Sequence, residues 1–415
     1  MSSSSAASGH PGWRTPLVVL GCGTVILILS VGIRQSFGLF MDPMCTARGW
    51  GREVMALALA TQNLVWGLSQ PFIGAIADKW GSGKVVSVAG VMYALGLYLM
   101  AQAVTPAEVL FSNGFLIGLA LSGCGYPVVL AVIGRSVPEN RRNLFIGIAS
   151  TGGSSGQLAV IPASQAFITA WGWPVALVLL AGMAAFIVPL AASMVGRKKA
   201  PRSGVQAPEQ TLREALAEAG GHRGFVFLTV GFFVCGWQIG FVAAHLPAFL
   251  SDYSLPASLA ATALAVIGAF NIAGTFTAGM LGTRMRQKQV LAGIYFLRAL
   301  AFAVFMLVPK TVPIVLVFAA VVGFLWLATV PLTSGLVARI FGVQYMATLY
   351  GIVFMSHQIG SFFGVWLGGR LFDRTGSYDV IWWGSVILGL AATALHLAIN
   401  DRPTERVLAA RATAA

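Results

Sequence analysis

An all-α membrane protein, with twelve transmembrane helices in two pseudo-symmetric six-helix bundles, is predicted by three observations on the 415-residue sequence. Hydrophobic residues make up 57% of the chain and charged residues only 9%, and the mean hydropathy is +0.82. A soluble domain carries about a quarter of its residues as charges, so a soluble class is excluded. Apolar runs able to cross ~30 Å of hydrocarbon, about 20 helical residues each, recur from end to end. The third observation is an internal repeat at a single offset.

The spans fall at about 17–40, 54–77, 85–104, 107–133, 143–168, 173–195, 224–249, 257–281, 289–308, 313–338, 348–370 and 379–399. Residues 1–16 read as a polar N-terminal tail, and the run from Leu17 to Phe40 is too long for a signal-peptide core. The stretch 196–223 is the one long interruption, basic at Arg197, Lys198, Lys199 and Arg202. It separates an N-terminal bundle, 17–195, from a C-terminal bundle, 224–399, which a tail follows at 400–415. Within the interruption, Thr211 followed by Glu214 has the pattern of a capping box, and glycine at 220 stops the short helix it starts.

Sliding the halves by 204 positions superposes Gly32 on Gly236, Phe37 on Phe241, Pro43 on Pro247, Pro127 on Pro331, Gly147 on Gly351 and Gly156 on Gly360. Two halves related by duplication are the reading. Parallel halves of this kind hold a substrate site between them near the midplane and alternate by rocking against one another.

Basic loops stay on the cytoplasmic side. With both termini cytoplasmic, the outer loops hold only Arg48, Arg52, Lys310, Arg370 and Arg374 of the 26 basic residues. The net charge of +13 is then a topology signal, and nucleic-acid binding is not expected. Cys22, Cys45, Cys124 and Cys235 have no metal-ligand spacing and imply no disulfide framework.

Arg34 and Arg298 lie inside spans, where a central charge costs at least ~2.5 kcal/mol on insertion scales. All 13 acidic residues fall in loops, tails or span ends, so these cations have no carboxylate at the midplane. They must find carbonyls, water or a bound anion. A cationic substrate would lack a counter-charge here.

Arg34 either snorkels to the outer surface past Phe40 or contacts an anion in the cavity. The repeat sets Gln238 opposite Arg34, and an Arg fork with an amide donor suits a carboxylate. His357, about 15 Å into span eleven, is placed to bind the anion when protonated and to carry a proton, or else is a neutral interhelical partner of Gln358. Arg298 either touches substrate or holds neighbouring carbonyls. Tyr126-Pro127 and Val330-Pro331 mark irregular helices whose freed carbonyls are candidates to line the cavity. Asn271, Gln62 and Asn63 touch substrate or tie helices together, and His245 reads as an interfacial residue.

The segment GAIADKWGSGK, 74–84, resembles the signature loop of the major facilitator superfamily, with Gly74, Asp78, Lys79 and Gly81 matching and Ser82 and Gly83 where basic residues are usual. The resemblance implies the major facilitator fold and makes these four residues a gate. GIRQSFGLFMDPM in span one and YGIVFMSHQIGSFFG in span eleven resemble bacterial members near the monocarboxylate and oxalate/formate transporter families. In the oxalate/formate relatives a cationic residue in span eleven faces substrate, and His357 falls at that place. Monocarboxylate relatives carry an Asp and, four residues on, an Arg in span eight; Asn271 and Thr275 stand there instead, so that contact is missing.

The expectation is a secondary transporter and not an enzyme. It moves a small mono- or dicarboxylate across a bacterial inner membrane by alternating access, as a monomer, with protons or a counter-anion as the coupled species. Arg34, Gln238, His357, Arg298, Tyr126 and Asn271 are the substrate candidates. No P-loop or metal cluster is visible, so no cofactor is expected. The alternative is an efflux carrier for drugs or metabolites built on Phe37, Trp237, Phe270 and Trp326. Span five lacks the Gly-Pro pairing that resembles the antiporter signature.

Overall fold

The structure, a computed structural model, describes residues 14–137, 139–195, 210–342 and 345–412. The N-terminal tail before residue 14 and the basic start of the central segment lie outside the described residues. Among the described residues every regular element is a helix.

Helix α1 (Pro16–Gln35) starts where Thr15 Oγ1 accepts the Val18 N–H at 3.3 Å and Pro16 supplies a first residue with no N–H to satisfy. A 3-10 turn over Phe37–Phe40 leads into α2 (Met41–Arg48). Helix α3 (Arg52–Trp80) ends at Gly81, whose φ of +102° favours glycine, and α4 (Ser82–Gln102) follows.

The Thr105–Glu108 capping box opens α5 (Pro106–Val109), which continues through π-helical Leu110–Ile117 into α6 (Gly118–Cys124) and α7 (Tyr126–Ser136). Helix α8 (Glu139–Ala185) bends at Gly172, φ +78°, and is followed by α9 (Ile187–Leu190). The short helix α10 (Leu212–Gly221) forms with its Thr211–Glu214 capping box.

The second half comprises α11 (Arg223–Asp252), α12 (Ala257–Arg284), α13 (Gln287–Leu307), α14 (Val312–Leu325), α15 (Thr329–Phe341), α16 (Met346–Thr375), α17 (Asp379–Leu397) and α18 (Glu405–Ala412).

Nine stretches among the described residues are long and apolar enough to cross a membrane. One of them, Thr151–Met194, is folded about Gly172 into two crossings. Helices α3 and α16 span 29 and 30 residues but are more polar, because they face the middle of the protein. The arrangement is consistent with twelve crossings. Phe72, Phe111, Phe276, Val317 and Ile387 are exposed large apolar side chains, as a lipid-facing perimeter requires.

The repeat has a packing cause. A Cβ on Gly156 would sit 2.3 Å from Ile28 O, and one on Gly32 would sit 2.8 Å from Gly156 O, so α1 and α8 cross backbone to backbone. Their mates do the same in the other half: a Cβ on Gly360 would lie 1.9 Å from Phe233 O, and one on Gly236 would lie 1.8 Å from His357 O. Small residues let membrane helices approach this closely. Gly32 and Gly156, with their mates Gly236 and Gly360, are therefore the crossing points of equivalent helix pairs. Between the halves, α3 packs on α16 and α8 on α12.

Both proline-marked spans are broken. Span four parts at Gly125, between α6 and α7, and span ten parts over 326–328, between α14 and α15. Pro127 and Pro331 fall in the first turn of the second piece, where the missing N–H is tolerated.

Candidate substrate site between the halves

Arg34 extends from α1 toward α3. Its Nη2 donates to Asn63 Oδ1, and its guanidinium lies 4.9 Å from the centroid of the Trp66 ring. Asn63 holds that geometry by donating Nδ2 to Leu59 O at 3.1 Å, and Trp66 Nε1 donates to Gln70 Oε1 at 3.0 Å. These contacts turn the Arg34 side chain toward α3. Snorkelling past Phe40 is not what the side chain does.

His357 reaches the same region from α16. Its ring stacks on Phe354 with centroids 5.6 Å apart and lies 5.1 Å from Phe232. His357 Nδ1 is 3.1 Å from Gln358 Oε1, and Gln358 Nε2 donates to Asn63 O at 3.2 Å. The amide oxygen only accepts, so Nδ1 carries the proton and Nε2 is the basic nitrogen of the neutral ring. Trp66 meets Phe354 edge-on at 6.1 Å. A polar path, Arg34 to Asn63 to Gln358 to His357, thus joins the two candidate cations across the two halves, with an aromatic path beside it. Among the described residues no carboxylate pairs with either.

Gln238 is not part of that path. It is fully buried, donates Nε2 to Ser385 O at 2.9 Å and accepts from Arg298 Nη1 at 3.3 Å. Arg298 is also buried; its Nη2 donates to Leu325 O and, at 3.1 Å, to Trp326 O. The carbonyls freed by the break in span ten are therefore held by a cation at a helix C-terminus, where the dipole favours one.

Asn271 closes the other side of the break, with Oδ1 accepting from the Leu327 N–H at 3.0 Å and Nδ2 donating to Ser154 Oγ at 2.9 Å. It links α12 to α8 of the first half. Thr275 donates to Asn271 Oδ1 at 3.2 Å.

Tyr126, half-buried at the break in span four, rests its hydroxyl over Gly153, where an added Cβ would lie 1.8 Å away. Ser30 Oγ donates to the freed Cys124 O at 3.2 Å, the counterpart in the first half of the Arg298 contacts.

Of the four gate residues, Gly74 has open space about it and Gly81 ends α3. Lys79 Nζ lies 5.8 Å from the Trp80 ring centroid, and the Asp78 side chain lies outside the described residues.

A second interhalf contact was missed by sequence reasoning. At the Arg52 end of the bundle, Arg52 makes a two-pronged pair with Asp252 at 2.7 Å, donates Nε to Asp42 at 3.0 Å and lies 4.0 Å from the Phe372 ring centroid. Glu53 pairs with Arg370 at 2.9 Å. The signal was the gathering of Asp42, Asp252 and Asp373 at span ends, which sequence alone assigns to no common face. His245 is buried there, bonded to Val365 O at 2.7 Å and to Tyr378 OH at 3.0 Å, rather than interfacial.

The Major Facilitator Superfamily profile matches residues 16–365. An uncharacterised MFS-type transporter of Bacillus subtilis, YcxA, is 25% identical over 84% of this chain and 86% of its own length. Monocarboxylate transporter 11 of Mus musculus is 27% identical over 89% of this chain and 83% of its own. The fold resembles the crystal structure of a bacterial homolog of the human lysosomal transporter Spinster, inward-facing and unoccupied, with a TM-score of 0.77 and 16% identity, covering 96% of this chain and 100% of that one. The profile match over residues 16–365, with transporters as the relatives, establishes that the chain belongs to the Major Facilitator Superfamily and is a transporter rather than an enzyme.

Proposed function

We propose that the protein is a secondary carrier of a small organic anion, a mono- or dicarboxylate, bound between Arg34 and His357. The observation that carries this reading is the path from Arg34 through Asn63 and Gln358 to His357, with a guanidinium at one end, an imidazole at the other and no carboxylate among the described partners. A carboxylate replaces the missing counter-charge of Arg34, and an indole and a phenyl ring wall the site. Similarity to monocarboxylate transporters supports the same substrate class.

The cycle follows from which contacts join the halves. Arg52, Asp252, Glu53 and Arg370 close one end, which the basic-residue distribution makes the outer face of a bacterial inner membrane with cytoplasmic termini. Substrate then exchanges with the cytoplasm, and gate residues Gly74, Asp78, Lys79 and Gly81 act at the opposite end. The rocking bodies are the bundles 17–195 and 224–399, joined by 196–223, with tails at 1–16 and 400–415, in a functional monomer. Coupling is by a proton on His357 or by a counter-anion. Neutral His357 donates Nδ1–H to Gln358 and leaves Nε2 basic; protonation adds a second donor and a charge for the anion.

The test is a thermal-stabilisation screen of purified protein with mono- and dicarboxylates against hydrophobic cations. Stabilisation by carboxylates is expected, and stabilisation by the cations alone would replace this reading with the efflux carrier. In vesicles, His357→Gln removes the proton dependence of uptake; full retention assigns coupling elsewhere.

A further inference from the structure

Arg298 is 1% exposed, lies mid-span and pairs with no Asp or Glu among the described residues. Carbonyls solvate its guanidinium but do not neutralise it, and a buried unpaired charge is expensive. A group able to become negative lies beside it: Cys235 Sγ is 3.6 Å from Arg298 Nη1 and 3.4 Å from Thr329 Oγ1, and is fully buried.

Three neighbouring helices bring polar or titratable groups near this sulfur. Helix α13 contributes Arg298 and Tyr295, α15 contributes Thr329, and α16 contributes His357 and Tyr350; Gln238 on α11 itself, one turn on, shares Arg298 Nη1. No acid is among them. Arg298 Nε is also buried with no hydrogen-bond partner, so the cluster has more donors than acceptors. An anionic sulfur is the acceptor that such a set favours.

We propose that Cys235 is a second proton-binding group of the carrier: as a thiolate it balances Arg298, and it exchanges its proton with His357. In the exchange the S–H bond of Cys235 breaks and an N–H bond forms at His357 Nε2, the nitrogen left basic by the Nδ1 contact to Gln358. The products are thiolate and imidazolium, and the reverse step regenerates thiol and neutral ring. The step forms a buried thiolate–imidazolium pair beside Arg298 and leaves the net charge of the cluster unchanged. Release of the proton from His357 to the cavity then lowers the charge by one. The inference rests on the reading of His357 as the proton carrier.

The experiment needs no substrate, so its outcome is independent of the organic-anion assignment. In a variant with Cys22, Cys45 and Cys124 replaced by Ala, the infrared S–H stretching band reports Cys235 alone. The band is expected to be absent at neutral pH and to appear on acidification, and His357→Gln is expected to move its appearance to a different pH. A band present at neutral pH and lost only in the alkaline range of an ordinary thiol, about 8.5, overturns the proposal. Thermal midpoints give a second measurement in the otherwise native chain. Cys235→Asp above Cys235→Ala is expected, because a carboxylate restores the counter-charge; Cys235→Ala at or above Cys235→Asp means that the sulfur only fills space and overturns it.

Discussion

Asp373, at the end of α16, accepts hydrogen bonds from the backbone N–H groups of Arg52 at 3.0 Å and Glu53 at 2.8 Å, and so caps a helix of the other half. Helix α3 has Gly51 at its N-cap, which offers no side-chain acceptor, and a Cβ there would lie 2.3 Å from Asp373 Oδ2. The carboxylate satisfies donors that would otherwise be orphaned and meets the positive end of the dipole. The contact joins the two halves at that end.

Removing the cap therefore shifts the conformational balance. Asp373→Ala is expected to lose about 1–2 kcal/mol of the closed state, roughly a 5–30-fold change in population. Spin labels at Ala47→Cys and Ala257→Cys, in a background without native cysteines, are expected to gain a longer-distance population. An unchanged distance distribution means that the cap does not hold this end.

Arg34→Gln removes the charge and keeps a donor. A charge-assisted bond is worth about 1.5–3 kcal/mol, so carboxylate affinity is expected to fall roughly 10–100-fold. Arg34→Lys retains charge but loses the planar fork that donates to Asn63, and is expected to fall between. Equilibrium binding of a carboxylate found in the screen measures this; normal affinity in Arg34→Gln removes Arg34 from the site.

The repeat glycines divide by environment. Gly360→Ala places a Cβ 1.9 Å from Phe233 O and is expected to cost about 1–3 kcal/mol by forcing α11 and α16 apart. Gly351→Ala, with nothing within 4 Å, is expected to be neutral or stabilising by up to about 1 kcal/mol, as alanine outranks glycine in helices. Thermal midpoints separate the two, and equal effects would show that the crossing does not require glycine.

Arg286 holds the Asp401 carboxyl below the usual carboxylate range by hydrogen bonding to it. A depressed folded-state value stabilises the protein above the ordinary carboxylate range, and that stability is lost as pH falls through the depressed value. Asp401→Asn should therefore lower the thermal midpoint at pH 7. The difference from wild type should vanish in acid; a difference independent of pH assigns the effect to packing.

Composition and periodicity alone determined the membrane class, the repeat of glycines at one offset and the presence of two cations within spans, because hydrophobic length, glycine offsets and charge counts are properties of the chain. The capping box at Thr211 is equally local, since its partner lies three residues away. Tertiary structure decided which way each polar side chain turns. Gln238, aligned with Arg34 by the repeat, is turned on α11 toward Ser385 and Arg298, because a buried amide bonds to whichever polar groups the adjoining helices bring within reach. Asn63 and Gln358, nearly 300 positions apart, became the bridge between Arg34 and His357 only when α3 packed on α16. Hydropathy records how deeply a residue is buried in the membrane; the face it occupies and the partner it meets follow from helix rotation and packing, which only the folded arrangement specifies.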